Sequence, residues 1–240
     1  MTSIEFEYNY NRFKPEIMQI AAYNIDSSQL YADESYSLPY DNCPFGQLEM
    51  EYGFILTRLN ILNKSITQIY ELREAEYLSR KGHEYLPREK RLELLTYKMR
   101  FSTELKIIVD EMISLEYLLT YYQLNNSWPE KIHIDCIGSF LYSKQEHLSL
   151  DSFIEHKDFL NKLNDLANST KHHFVFFNIL WRRNNLREPV IFEFQQKHND
   201  SRSPAEFRFH KLSDVITSFN IILNEFKSNI KRFSENKKSG

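Results

Sequence analysis

Glycine, cysteine and long apolar runs are all scarce in this 240-residue chain, and each scarcity closes off a class of function. Its five glycines (Gly46, Gly53, Gly82, Gly138 and Gly240) never lie close together. A P-loop or a G-x-G-x-x-G turn needs clustered glycines so that backbone N–H groups can approach phosphate; neither is present, and no cofactor is expected. Two cysteines, Cys43 and Cys136, are too few for a disulfide framework. No C-x-x-C, H-E-x-x-H or G-x-S-x-G sequence occurs. The densest apolar stretch, His172 to Trp181, is short and holds Asn178, so no membrane span is expected. Residues Met1 to Tyr10 carry two glutamates and no basic-then-apolar leader pattern. Thirty Lys and Arg against thirty-three Asp and Glu leave a formal charge of −3, too small a field to point at nucleic acid or lipid. A cytoplasmic location is expected.

What the chain does have is periodicity. Leu48, Tyr52, Ile55, Leu59, Leu62, Ile66 and Ile69 alternate spacings of four and three, one apolar seam along a helix that Gly82 ends. Pro87 opens a second helix with a stripe of Leu92, Leu95, Met99, Leu105, Ile108, Met112, Leu115, Leu119 and Tyr122, stopped by Asn125, Asn126 and Pro129. Two long helices joined by a few residues must lie antiparallel. A third helix is predicted from Asp151 or Ser152, where Ser152 and Glu155 have capping-box spacing. A last helix opens at Ser213 and carries Ile216, Phe219, Leu223 and Phe226.

Period-two alternation marks the strands. Ile4, Phe6, Tyr8 and Tyr10 alternate with polar residues, and Val190–Phe194 and Phe207–Phe209 flank a polar loop as a hairpin. The N-terminal strand is expected to join that hairpin, since two strands alone are marginally stable. Residues 24–45 predict a surface loop, and 130–148 an irregular connection. The fold class predicted is mainly α: an antiparallel four-helix bundle on a long helical hairpin, with a small antiparallel sheet appended. One domain spans 1–240: a strand and irregular segment to 45, the hairpin 46–125, the third helix 151–173, the β-hairpin 189–211 and the last helix 213–233. The apolar positions Met50, Ile61, Phe101, Ile113 and Tyr117 lie off the main seams and predict a self-association patch.

Chemistry-bearing residues are fewer. His133, Asp135 and Cys136 cluster in sequence but lack a second ligand pair, so no metal site is predicted. The segment Asn164 to His173 is more informative. Asn164, Asn168, Lys171 and His172 fall at i, i+4, i+7 and i+8, a polar stripe on a helix whose other face is apolar. Asparagine is unusual inside helices because its side chain competes with the backbone. A C-terminal cap, where Asn, Lys and His suit the last turn, accounts for part of this cluster.

The long helical hairpin, the shorter helix ending in Asn168-x-x-Lys171-His172, and the final helix together resemble the HEPN superfamily over about residues 46–235. The resemblance implies a helical bundle, common in bacterial toxin and antiviral defence systems, often a metal-independent endoribonuclease and often a homodimer. The family's motif pairs an arginine with a histidine four to six residues on. Here Ala167 or Asn168 stands at the arginine position, so the arginine is absent. The resemblance implies His172 as acid/base, with His173 the alternative, and Asn168, Asn164 and Lys171 as its companions. Metal-free RNA cleavage needs a base near the 2′-hydroxyl and a cation for charge on phosphate. Arg182, Arg183 and Arg187, with Lys197, Arg202, Arg208 and Lys211, are the candidate RNA-binding cations. Two functions follow. One is an RNA-directed enzyme or its degenerate relative. The other is a non-catalytic helical module that binds a protein partner from the same locus, its polar cluster only capping and cross-linking helices.

Overall fold

The computed structural model describes residues 38, 43–82, 84–143, 149–172, 187–196 and 205–236, with the side chains of 170–172, 194–196, 205, 207 and 236 left aside. It is mainly helical with one two-stranded antiparallel sheet. Helix α1 spans Leu48–Lys81 and α2 spans Arg88–Asn125. Arg58 of α1 reaches Glu104 and Glu111 of α2, while Lys98, farther toward the start of α2, feels the charges of Arg73, Glu76 and Arg80 near the end of α1. That pattern fixes an antiparallel hairpin.

Every position of the α1 apolar seam from Leu48 to Ile69 is buried. The α2 seam differs from its predicted stripe in the first turns. Leu92 is exposed and Leu95 and Met99 are only half-buried, while Leu94, Lys98 and Phe101 are buried. The buried spacing there is four, then three, and it runs through a lysine, which an apolar pattern skips over.

The α2 stop is Asn126, whose φ of 51° is left-handed, a conformation asparagine tolerates. Gly82 ends α1 without using glycine's freedom: its φ is −81°, and its N–H donates to Leu78 O at 3.1 Å. Gly46, at φ +121°, does need to be glycine, in the turn that feeds α1.

The connection after α2 contains a short helix, α3 (Ile137–Tyr142), capped by Cys136 and Ser139. Next comes a single 3-10 turn (Ile154–His156) that runs into α4 (Lys157–His172). The Ser152–Glu155 capping box does not form. Ser152 is buried, and its hydroxyl donates to Glu116 of α2 instead. Strands β1 (Val190–Gln196) and β2 (Ala205–Lys211) pair with Val190 opposite Lys211 and Glu193 opposite Arg208. Helix α5 (Leu212–Asn236) follows directly.

Leu59, Leu62, Ile66, Leu105, Ile108, Met112, Leu163, Leu166, Phe219, Leu223 and Phe226 share one core. The patch predicted for self-association is not one surface: Phe101, Ile113 and Tyr117 are buried in that core, and Met50 and Ile61 are exposed. Their helix positions lie off the strict seam, but α4 and α5 cover a wider arc than a two-helix stripe needs. The predicted strand at Ile4–Tyr10 lies outside the described residues. No described helix is long and apolar enough to cross a membrane.

Candidate functional site

Helix α4 buries Leu160, Leu163, Leu166 and Ala167 on one face. Asn164, Asp165 and Asn168 lie half-buried on the other side of the helix. Lys171 and His172 close the helix, and their side chains, like His173, Arg182 and Arg183 altogether, lie outside the described residues. Asn164 and Asn168 sit about two turns and one turn before the helix ends, too early for a C-terminal cap to require them.

α4 packs on α2 and β1. Strand alternation sends Ile191 and Glu193, with their cross-strand partners His210 and Arg208, to one face of the hairpin and Phe192 and Phe209 to the other. The Glu193 side chain is fully buried (0% exposed) and is held by two cation-capable groups. His210 Nε2 lies 2.7 Å from Glu193 Oε2, and Arg208 Nη1 is 3.5 Å from Oε1. Arg208 also donates to Glu206 at 2.9 Å. The Glu206 hydrogen bond first, and then the charges of Glu193 and, least, of Asp165 on α4, raise the Arg208 guanidinium above its ordinary value. With Nε2 engaged by a buried carboxylate, His210 has its ring orientation set. Because the contact is with a carboxylate, Nε2 is assigned as the donor.

His210 and Glu193 were absent from the sequence-predicted site. The only signal for them was alternation, and alternation does not give register: one residue of slip would place Glu193 on the opposite face. Arg187, predicted as an RNA contact, is committed elsewhere. Its Nε and Nη2 donate to the two oxygens of the buried Glu74 at 2.7 and 2.8 Å, a bidentate pair that raises the guanidinium further. The pair tethers α1 to the start of β1.

Asp135 and Cys136 are occupied as a helix cap: Ser139 Oγ donates to Asp135 at 3.0 Å, and Cys136 Sγ accepts from Ser139 N–H at 3.4 Å. Among the described residues no group of three or more His, Cys, Asp or Glu is arranged to hold a metal ion. A second polar group lies away from α4. Glu116, 1% exposed, accepts from Ser152 N–H at 3.1 Å and from the Ser152 hydroxyl, and Asn229 donates to Ser152 Oγ at 2.8 Å. Burial dominates over these neutral donors and pushes its carboxyl up to about 7. It stitches α2, the turn before α4 and α5 together. Comparison with protein families, curated proteins and solved structures finds no match for this chain.

Proposed function

We propose that this chain is a HEPN-like helical protein acting on single-stranded RNA, as a metal-independent endoribonuclease or a degenerate relative, in a bacterial defence or toxin–antitoxin setting. The observation that supports this best is the polar group shared by α4 and the hairpin. Helix α4, with Asn164, Asp165 and Asn168 half-buried, packs on β1, where the buried Glu193 is held by Arg208 and His210 and the Asp165 charge acts on Arg208. His172 is assigned as the acid/base, Asn168 as its positioning residue, and Lys171 or the pair Arg182–Arg183 as the cation for phosphate.

Incubating purified protein with single-stranded RNA in EDTA tests this. Cleavage is expected, and His172→Ala should lower its rate by about 10²–10⁴-fold while leaving unfolding unchanged. Activity indifferent to both His172→Ala and His173→Ala contradicts the site. A wild-type protein inert on every RNA contradicts the function.

A second function, a non-catalytic interaction module, is favoured by a different observation. The described cations nearest the hairpin are internally balanced, Arg187 by Glu74 and Arg208 by Glu193 and Glu206. Self-association fits either role. Met50, Phe54 and Ile61 are exposed and fall within one face of α1. Light scattering at micromolar concentration is expected to give a dimer mass.

A further inference from the structure

A buried carboxylate in the middle of a two-stranded hairpin needs a reason, because a desolvated charge costs stability unless its partners are complete. Glu193 is such a group. Its side chain is 0% exposed, and strand alternation puts it on the same face as the buried Ile191. Arg208 is its cross-strand partner, and His210, two residues further along β2, reaches it on the diagonal. The register therefore brings one guanidinium and one imidazole to the two oxygens of a single carboxylate, at 3.5 Å from Oε1 and 2.7 Å from Oε2.

Exposure is graded across the three groups. The carboxylate is sealed, the His210 side chain is 22% exposed and that of Arg208 is 50% exposed. One ring nitrogen is thus fixed on the buried carboxylate while part of the imidazole stays open to solvent. A carboxylate behind an imidazole orients the ring for proton transfer, and the nitrogen away from the carboxylate is the one that can trade a proton with a substrate. Arg208 adds what a two-residue pair lacks. Held by a neutral imidazole alone, Glu193 would be a buried charge with no countercharge; the guanidinium stays charged throughout and keeps it paired in both states of the ring. The other charges acting on Arg208 are Glu206, which accepts from it at 2.9 Å, and Asp165 of α4, the helix packed on β1. A purely structural clamp has no use for a side chain that changes charge near neutral pH.

We propose that His210, oriented by Glu193, is a second proton-transfer residue of the RNA cleavage proposed above, acting on the scissile phosphodiester alongside His172. The inference rests on that reading. In metal-free cleavage the 2′-oxygen attacks phosphorus while its proton passes to a base, and the P–O5′ bond breaks while the departing oxygen takes a proton from an acid. A 2′,3′-cyclic phosphate and a 5′-hydroxyl result, and the two protein groups end with their protonation states exchanged. One imidazole cannot fill both roles in a single step; the ring held by Glu193 supplies the second.

Cleavage of single-stranded RNA in EDTA, followed against pH, tests it. The wild type should give a bell-shaped profile with one limb for each group. His210→Gln keeps an N–H to donate to Glu193 but cannot carry a proton. It should unfold near the wild-type denaturant midpoint, cleave about 10²–10⁴-fold more slowly and lose one limb of the bell. An active wild type with an equally active His210→Gln, or a slower variant that keeps both limbs, overturns the inference and leaves His172 standing. A wild type inert on RNA overturns both. Should the variant unfold early, the wild-type protein decides: an uncleavable 2′-O-methyl RNA should move the His210 ring resonances, and unmoved resonances at saturation make His210 a structural residue.

Discussion

The α1–α2 hairpin is one seam built from two chemistries. From Leu48 to Ile69 the α1 positions are apolar, and they meet Leu105, Ile108, Met112 and Leu119 of α2 in the core that α4 and α5 complete. From Arg73 to Arg80 the same spacing carries charge, opposite Lys98 and under the β-hairpin. The backbone period is continuous across the change. Helical geometry alone therefore accounts for both halves, while burial energetics favours only the first. Apolar seams gain from leaving water, roughly 25 cal/mol per Å², whereas charged seams survive only when their partners are complete.

The two halves should fail differently. Glu76→Gln removes the carboxylate that Arg73 and Arg80 both bond, and is expected to cost about 3–5 kcal/mol, the scale for breaking a buried ion pair. Urea unfolding measures it. In the apolar half, Leu62→Ala should cost roughly 2–5 kcal/mol through lost transfer energy plus a cavity. A Glu76→Gln variant as stable as wild type would erase the distinction.

Glu116 offers a pH-dependent comparison within the apolar half. Its folded carboxyl is raised from 4.5 to about 7, so between those values the folded protein binds more protons than the unfolded chain. Its contribution to stability is full below pH 4.5 and is lost as pH rises through 7. Glu116→Gln mimics the protonated form. It should match wild type near pH 5 and exceed it above pH 8 by on the order of 3 kcal/mol. Denaturant midpoints at the two pH values check the sign, and a variant weaker at both would show that the ionised carboxylate is the stabilising form.

Much of the helical frame was legible because period and burial agree there. Leu59, Leu62 and Ile66 are apolar, correctly spaced and buried, and α4 and α5 carry equally plain stripes. Legibility failed where a polar residue takes a buried position. Lys98 displaced the predicted α2 stripe by one residue, and Ser152 bonds Glu116 36 residues away instead of capping its own helix. Arg187 reads as a surface cation until Glu74, 113 residues away, is brought beside it. The polar stripe of α4 was visible from Asn164 and Asn168. The His210–Glu193 pair on the hairpin that α4 packs against depends on strand register and on tertiary packing, which local spacing does not encode.

Amide chemical-shift mapping on a short 5′-phosphorylated single-stranded RNA tests the division most directly. The account predicts perturbed amides in α4 and in the hairpin around Glu193 and His210. It predicts unmoved amides around Glu116, Ser152 and Asn229. Shifts concentrated at that second cluster, or none anywhere at saturating RNA, would contradict it.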